Sequence, residues 1–193
     1  MARLISQTGL SIIPSRILLI VLSLGGWFAT SLESAEPEPF KVFAATGDQA
    51  QKEFDAVASR KDKTTVYVFL AADQWARPVA RYVKKLDEAL NAGKGNSKDP
   101  EANADLRILA VWLSDDPMKG KEYLPKAQTS LQLTRTDWTV FEGPKAGPNG
   151  WNIDIASTLT TVLVRRGKEI GRFTYKSVNE TDVDEALQAL TKD

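Results

Sequence analysis

Cysteine and histidine are both absent from the 193-residue sequence. Without cysteine the chain can form no disulfide bond and has no thiol nucleophile. Without histidine it lacks the side chain that most often acts as a general acid or base near neutral pH. The two best soft ligands for transition metals are missing as well. We therefore expect no metal site and no cofactor, and a domain whose stability comes from its hydrophobic core alone.

A net charge is also lacking, because 25 Lys and Arg residues balance 25 Asp and Glu residues. A chain with this balance has no strong positive field to attract nucleic acid or an anionic membrane surface. The segment GPKAGPNG (143–150) has neither the spacing of a P-loop nor that of a dinucleotide-binding loop. We expect no nucleic-acid partner. We interpret 143–150 as a surface loop and, alternatively, as a candidate edge of a binding site.

A long hydrophobic run is missing except near the N-terminus. There Arg3 and Arg16 precede an apolar run over residues 17–32, which is shorter than the roughly 20 residues of a membrane-spanning helix. This pattern predicts a signal peptide or N-terminal anchor over residues 1–35, followed by one domain over 36–193. We expect an exported protein that is periplasmic, envelope-associated or secreted. It would contact the membrane only if the N-terminal segment stays uncleaved.

The first half of the domain alternates strands and helices. A short strand is predicted over 40–45, followed by a helix that Asp48 caps and that ends in the polar segment SRKDK. Residues 64–71 (TTVYVFLA) have the continuous apolar and β-branched pattern of a strand covered on both faces. A long helix follows, and a polar surface loop is predicted over 93–105. The apolar positions of that long helix recur at helical spacing: Val79, Val83, Leu86 and Leu90.

The second half continues the alternation and then changes. Residues 106–113 predict another buried strand, and the DDP segment at 115–117 predicts a helix start. A short strand over 138–141 precedes two strands joined by a tight turn at Arg166 and Gly167. A last helix follows, with Asn179 as its expected cap. Strands that alternate with helices indicate an α/β fold with a parallel core, to which the closing β-hairpin adds an antiparallel edge.

The segment Trp75-Ala76-Arg77-Pro78-Val79 follows the predicted strand over 64–71 and opens the long helix. It resembles the thioredoxin family, in which a strand leads to Trp-Cys-Gly-Pro-Cys at the start of a helix. The segment RRGKEIGRF is similar to the closing hairpin of that family. The resemblance implies a thioredoxin-like fold over most of residues 40–192, with a central mixed β-sheet flanked by helices, a closing β-hairpin and a C-terminal helix.

The same resemblance implies that the redox chemistry of the family is absent. Ala76 and Val79 occupy the two cysteine positions, and neither side chain can form a mixed disulfide. The buried acid of the family would fall near Leu70, and its conserved proline at Leu159 or Thr160. Three parts of the redox apparatus are therefore missing together. We expect no thiol-disulfide oxidoreductase activity and no catalytic residue at the degenerate motif.

Candidate binding residues follow from the position of the motif. Trp75 is either an exposed aromatic anchor for a partner or a side chain packed on the sheet. Arg77 is a cation at a helix N-terminus, where the helix dipole disfavours it, so it is a solvated side chain or marks a site for an acidic group. Pro78, Leu159 and Thr160 complete the binding residues that the resemblance implies.

Two further polar features have simpler explanations. Asp115 and Asp116 are better explained as a helix start than as a metal site. Asn179, Glu180 and Thr181 form a glycosylation sequon, but Asn179 is also the predicted cap.

These observations predict an exported, redox-inactive thioredoxin-like domain that binds a protein or peptide. One alternative is a non-thiol enzyme that uses Lys, Asp or Ser in the same cleft. The other is an envelope assembly or structural module that uses an outer edge strand.

Overall fold

The structure, a computed structural model, describes residues 36–192. The predicted signal peptide or anchor over 1–35 lies outside these residues. The described part contains a seven-stranded sheet and four α-helices. The strands are β1 (Lys41–Ala44), β2 (Glu53–Asp55), β3 (Thr64–Ala71), β4 (Arg107–Leu113), β5 (Thr136–Phe141), β6 (Leu159–Arg165) and β7 (Lys168–Tyr175). The helices are α1 (Arg77–Asn91), α2 (Pro100–Asn103), α3 (Pro117–Leu131) and α4 (Val183–Thr191).

The sheet has the order β2-β1-β5-β4-β3-β6-β7. Strands β3, β4 and β5 pair in parallel, and every other neighbouring pair is antiparallel. The parallel pairs are connected through α1 and α3, as the alternation of strands and helices predicts. The predicted α/β fold with a mixed sheet, a closing hairpin and a C-terminal helix is confirmed.

The sheet separates two hydrophobic clusters. Successive side chains of a strand point to opposite faces, so Val68 and Leu70 of β3 join one cluster while Phe69 joins the other. The first cluster includes buried side chains of α1, α3 and α4. The second contains an aromatic group in which Trp151 contacts Phe40, Tyr67 and Phe69. Strand β3 is therefore covered on both faces, as its apolar sequence predicts.

The predicted helix after Asp48 is wrong. The chain turns at Gln51, which has a φ of 68°, and returns as β2, in which Phe54 pairs with Val42 of β1. Asp48 caps no helix, and its side chain is 92% exposed. Phe54 packs on the second cluster. The pairing with β1 satisfies backbone N–H and C=O groups that a helix would satisfy internally. Tertiary contacts therefore make this segment a strand despite its helical pattern.

Two other local predictions need correction. The predicted loop over 93–105 contains the one-turn helix α2, where the Asp99 side chain accepts hydrogen bonds from the N–H groups of Glu101 and Ala102. Helix α4 begins at Val183 with Asp182, not Asn179, at the N-cap position. The Asn179 side chain instead accepts a hydrogen bond from the Thr181 N–H in the preceding turn.

The closing hairpin forms as predicted. Strands β6 and β7 pair in antiparallel fashion, and Arg166 and Gly167 both have positive φ values, of 49° and 74°. Positive φ values at both central residues are typical of a type I′ turn, whose backbone twist matches that of the two strands it connects. Within residues 36–192, no helix is long and apolar enough to cross a membrane.

Helix α1 is fixed to the connection between α3 and β5 through a buried carboxylate. Asp87 is 2% exposed. It accepts hydrogen bonds from the N–H groups of Thr134 and Arg135 and from the hydroxyl of Thr136. These bonds replace the water that a buried carboxylate loses, and they hold in place the helix whose N-terminus carries the Trp-Ala-Arg-Pro-Val motif.

Candidate functional site

The candidate site lies where the parallel strands β3, β4 and β5 end. The chain leaves β3 through the short 3-10 helix Ala72–Gln74, leaves β4 through Ser114 to Asp116, and leaves β5 into the loop that contains Lys145. The C-terminal ends of parallel strands meet at one edge of a sheet, which is where α/β proteins commonly bind ligands. Residues far apart in the sequence are therefore brought together here.

The degenerate motif forms the start of α1. Ala76 is the N-cap residue, with extended backbone angles of −144° and 171° and no side-chain hydrogen bond to the helix. Arg77 and Pro78 are the first two helical residues, where the missing N–H of proline costs no hydrogen bond. Val79 is 2% exposed and packs in the first cluster. The two positions that the resemblance assigns to cysteines, 76 and 79, thus lie at the helix start, and neither side chain there is a nucleophile.

Trp75 combines the two roles that the sequence left open. It is partly buried and packs against the first cluster. Its ring lies 5.6 Å from Trp112 and 5.5 Å from Trp138, in edge-to-face geometry. Its indole Nε1–H donates a 2.8 Å hydrogen bond to the hydroxyl of Tyr123 on α3. The indole is therefore held in one orientation by the core while part of it stays accessible.

A cavity of about 410 Å³ opens beside Trp75. We call it the aromatic pocket. Three aromatic side chains form much of its wall, and Gly120 lets α3 approach β4 closely, because a Cβ there would lie only 2.9 Å from Trp112 Cδ1. The lining residues are Ala72, Asp73, Trp75, Trp112, Ser114, Asp115, Asp116, Lys119, Gly120, Tyr123 and Lys145.

The rim of the aromatic pocket is charged. Lys145 Nζ lies 2.5 Å from Asp73 Oδ2 and joins the loop after β5 to the turn after β3. This hydrogen bond lowers the pKa of the Asp73 carboxyl and raises the pKa of the Lys145 ammonium. Asp116 accepts a 3.1 Å hydrogen bond from the Lys119 N–H and so caps α3, as predicted. The rim also carries Asp115, which adds to the raised pKa of Lys145.

A second depression of about 550 Å³ lies between α1 and α3. We call it the helix groove. Trp75 and Tyr123 line both the groove and the aromatic pocket, so their hydrogen-bonded pair forms the boundary between the two. The lining residues of the helix groove are Trp75, Ala76, Arg77, Ala80, Tyr123, Lys126, Ala127, Ser130 and Leu131.

The predicted binding residues divide into two groups. Trp75 and Arg77 line the helix groove, and Pro78 is exposed between Arg77 and the buried Val79. The structure does not bring Leu159 and Thr160 to that surface. They are 2% and 1% exposed in β6, because this strand lies between β3 and β7 and is covered on both faces. They line a separate cavity of about 10 Å³.

Several site residues were not predicted from the sequence. Trp112 and Tyr123 form pocket walls, and Lys145 reaches the rim from the 143–150 loop, which was a candidate binding edge. The signal for Trp112 was its place at the end of a buried strand, but nothing in the sequence pairs Tyr123 with Trp75. No group of three or more Asp and Glu side chains among the described residues could hold a metal ion.

Comparisons with known proteins support the fold alone. No protein-family model and no curated protein matches the sequence. A SCO1/SenC family lipoprotein from Bacillus anthracis is similar in structure, with a TM-score of 0.54, 12% identity, and coverage of 82% of this chain and 96% of that chain. A secreted Mycobacterium tuberculosis disulfide oxidoreductase homologous to E. coli DsbE has a TM-score of 0.52, 15% identity, and coverage of 78% and 93%. A peroxiredoxin-like protein from Aquifex aeolicus has a TM-score of 0.53, 12% identity, and coverage of 81% and 86%.

The chain therefore has a thioredoxin-like fold, as the resemblance implies. It differs from a thiol-disulfide oxidoreductase in having no cysteine anywhere in its sequence. A mixed disulfide between this chain and a substrate cannot form, because that step needs a thiolate.

Proposed function

We propose that this chain is an exported, redox-inactive thioredoxin-like module that binds a protein or peptide at the surface around Trp75. The observation that carries the proposal is the half-buried Trp75, which its hydrogen bond to Tyr123 fixes between two open depressions. Trp75 also belongs to the segment that resembles the cysteine motif of the family. Rigid, partly exposed aromatic side chains are frequent anchors of protein interfaces, because little rotamer freedom is lost when they bind.

Export is part of the proposal. It is supported by the order of Arg3, Arg16 and the apolar run over 17–32. The balanced charge of the chain supports a partner other than nucleic acid. N-terminal sequencing of the native protein tests export, and a first residue between 32 and 36 is the expected result. Intact Met1 in the membrane fraction would instead favour the anchor, and intact Met1 in the cytoplasm would contradict export.

Site-specific photo-crosslinking tests the binding surface. A photoreactive amino acid placed at Met118, which is 62% exposed next to the pocket-lining Lys119, should give a discrete crosslinked product in native envelope preparations. The same label at Lys85, on the exposed face of α1 and away from both depressions, is the matched control and should give none.

The substitution Trp75→Ala should abolish the Met118 product. A product that forms equally from both label positions, or that survives Trp75→Ala, would contradict a binding site at this surface. Turnover of a small substrate by the purified protein, lost with Asp115→Asn, would support the enzyme alternative instead.

A further inference from the structure

We propose that the bound partner segment places an arginine side chain in the aromatic pocket and an acidic side chain in the helix groove. This inference rests on the proposed function, because it specifies the partner chemistry at the same surface. The observation behind it is that the two depressions share the Trp75–Tyr123 boundary but carry opposite charge.

The aromatic pocket has the chemistry that binds a guanidinium group. Its walls include Trp75, Trp112 and Tyr123, and its volume of about 410 Å³ is ample for one long side chain. A planar guanidinium stacks on aromatic rings and forms two parallel hydrogen bonds with a carboxylate. Among the described residues nothing forms a hydrogen bond or ion pair with the Asp115 carboxylate. That carboxylate is available to a cation that enters the pocket.

The balance of charge in the aromatic pocket also favours a cation. Three carboxylates and two ammonium groups line it, which leaves one net negative charge. One of those ammonium groups, on Lys145, is already paired with Asp73 at 2.5 Å. An acidic ligand would face Asp115 and Asp116, and like charges repel.

The helix groove has the opposite character. Arg77 and Lys126 line it, and none of its lining residues is acidic. Neither cation forms an ion pair with another residue in the part of the chain that the structure describes. The remaining lining is formed by small, apolar and aromatic side chains, which suit the stem of an acidic side chain. A carboxylate of the partner would therefore find two unpaired cations beside Trp75.

The shared boundary gives the partner segment a direction. A segment that crosses the Trp75–Tyr123 pair passes from a negative depression to a positive one. A segment with an arginine and an acidic residue at a suitable separation can pair both charges in only one orientation. Opposite charges at the two ends of one binding surface raise specificity chiefly because the reversed segment meets like charges.

Selection from displayed random peptides by the purified protein tests this inference. We expect the enriched peptides to share an arginine and an Asp or Glu at a fixed separation. The double substitution Asp115→Asn with Asp116→Asn should remove the arginine preference and weaken the best peptide about tenfold, with the acidic preference retained. The double substitution Arg77→Glu with Lys126→Glu should remove the acidic preference or change it to a basic one.

These variants are chosen to keep the fold. Asn caps a helix about as well as Asp, so Asp116→Asn preserves the start of α3. A glutamate at the first turn of α1 is favoured by the helix dipole, so Arg77→Glu should not unfold it. The matched controls are Asp62→Asn and Lys85→Glu, each of which makes the same kind of charge change once, at an exposed position outside both depressions. Both controls should select the same peptides as the unchanged protein.

The possible failures are distinguishable. This inference would be overturned, and the proposed function kept, by peptides whose binding needs Trp75 but that show no charge preference. The same holds if the charge preference is identical in all variants. No enrichment above background, or enrichment that is independent of Trp75, would overturn both.

Discussion

Trp75 and Tyr123 lie 48 positions apart in the sequence, and the indole Nε1–H of the first donates a 2.8 Å hydrogen bond to the hydroxyl of the second. This bond joins the segment before α1 to the exposed face of α3. It also separates the aromatic pocket from the helix groove, since both residues line both. The shape of the candidate site therefore depends on one pair of side chains.

Removing either partner of this hydrogen bond should destabilise the protein. Trp75→Phe and Tyr123→Phe should each lower the free energy of unfolding by about 1 kcal/mol through the lost bond, with a further loss for the smaller ring at position 75. The double variant should lose less than the sum, because the bond can be lost only once. Urea denaturation of the four proteins provides the double-mutant cycle. Strictly additive losses would indicate that the two groups do not interact in solution.

Gly120→Ala should destabilise the protein although alanine is the better helix former. The gain in helix propensity is about 1 kcal/mol. Against it, the new Cβ would lie 2.9 Å from Cδ1 of the buried Trp112 ring, and overpacking of this kind typically costs about 1–3 kcal/mol. We expect a net loss of about 1 kcal/mol by urea denaturation and a shifted indole N–H resonance of Trp112. Equal or higher stability with an unchanged resonance would contradict the close approach of α3 to β4.

The start of the site was predictable because its signals are local. The extended strand, the turn and proline at the second helical position together determine where α1 begins. The hairpin turn at Arg166 and Gly167 was predictable for the same reason, because the turn residues lie between two strong strand patterns.

The remaining features depend on contacts across the fold. Phe54 and Val57 have helical spacing, and only the pairing of β2 with β1 makes Phe54 part of a strand. The walls of the aromatic pocket come from β4, α3 and the segment after β3, whose relative placement no local pattern specifies. Tyr123 is a clear example, since by its sequence it is one more polar-face residue of α3.

The contact between Asp73 and Lys145 should make the loop after β5 sensitive to pH. The hydrogen bond to Lys145 lowers the pKa of Asp73 below its ordinary value of 3.8. The stability that this contact contributes is therefore present above a pH of about 3.8, and it is lost as the pH falls through the lower pKa of the folded state. The Lys145 pKa is raised above 10.5, so the contact persists until strongly alkaline pH.

Asp73→Asn should accordingly increase amide exchange in the 143–150 loop at pH 6, and the difference from the unchanged protein should shrink towards pH 3. Because the pair is largely exposed, we also expect the difference to shrink at high salt. A difference that grows on acidification would have the wrong sign for this contact.

Asp87→Ala should strongly destabilise the protein. It leaves the half-buried N–H groups of Thr134 and Arg135 and the buried hydroxyl of Thr136 without their acceptor, and an unsatisfied buried group typically costs about 1–3 kcal/mol. We expect a loss of about 3 kcal/mol or more by urea denaturation. Glu88→Ala, at the exposed neighbouring position, should change stability by less than about 0.5 kcal/mol.

Restoring sulfur tests whether residues 75–79 have the geometry of the family motif. Ala76 is the N-cap residue and Val79 is the third helical residue of α1, so Ala76→Cys with Val79→Cys places two thiols one turn apart, where a disulfide can close with ordinary geometry. The pair should oxidise while the domain stays folded. The free N–H groups at the helix start and the neighbouring Arg77 both stabilise a thiolate at position 76. Its pKa should therefore fall below the free-thiol value of about 8.5 in the single variant Ala76→Cys.

Disulfide reductase activity of the double variant should nevertheless stay poor. The resemblance places the buried acid of the family near Leu70 and its proline at Leu159 or Thr160, all of which are buried strand residues here. We therefore expect proton transfer and substrate alignment to lack support. Ala76→Ser with Val79→Ser, which cannot form a disulfide, is the matched control for the effect of polarity at these positions. A thiol pair that stays reduced under mild oxidant in the folded protein, or a thiol at position 76 that titrates at or above about 8.5, would show that the start of α1 is not where the structure places it.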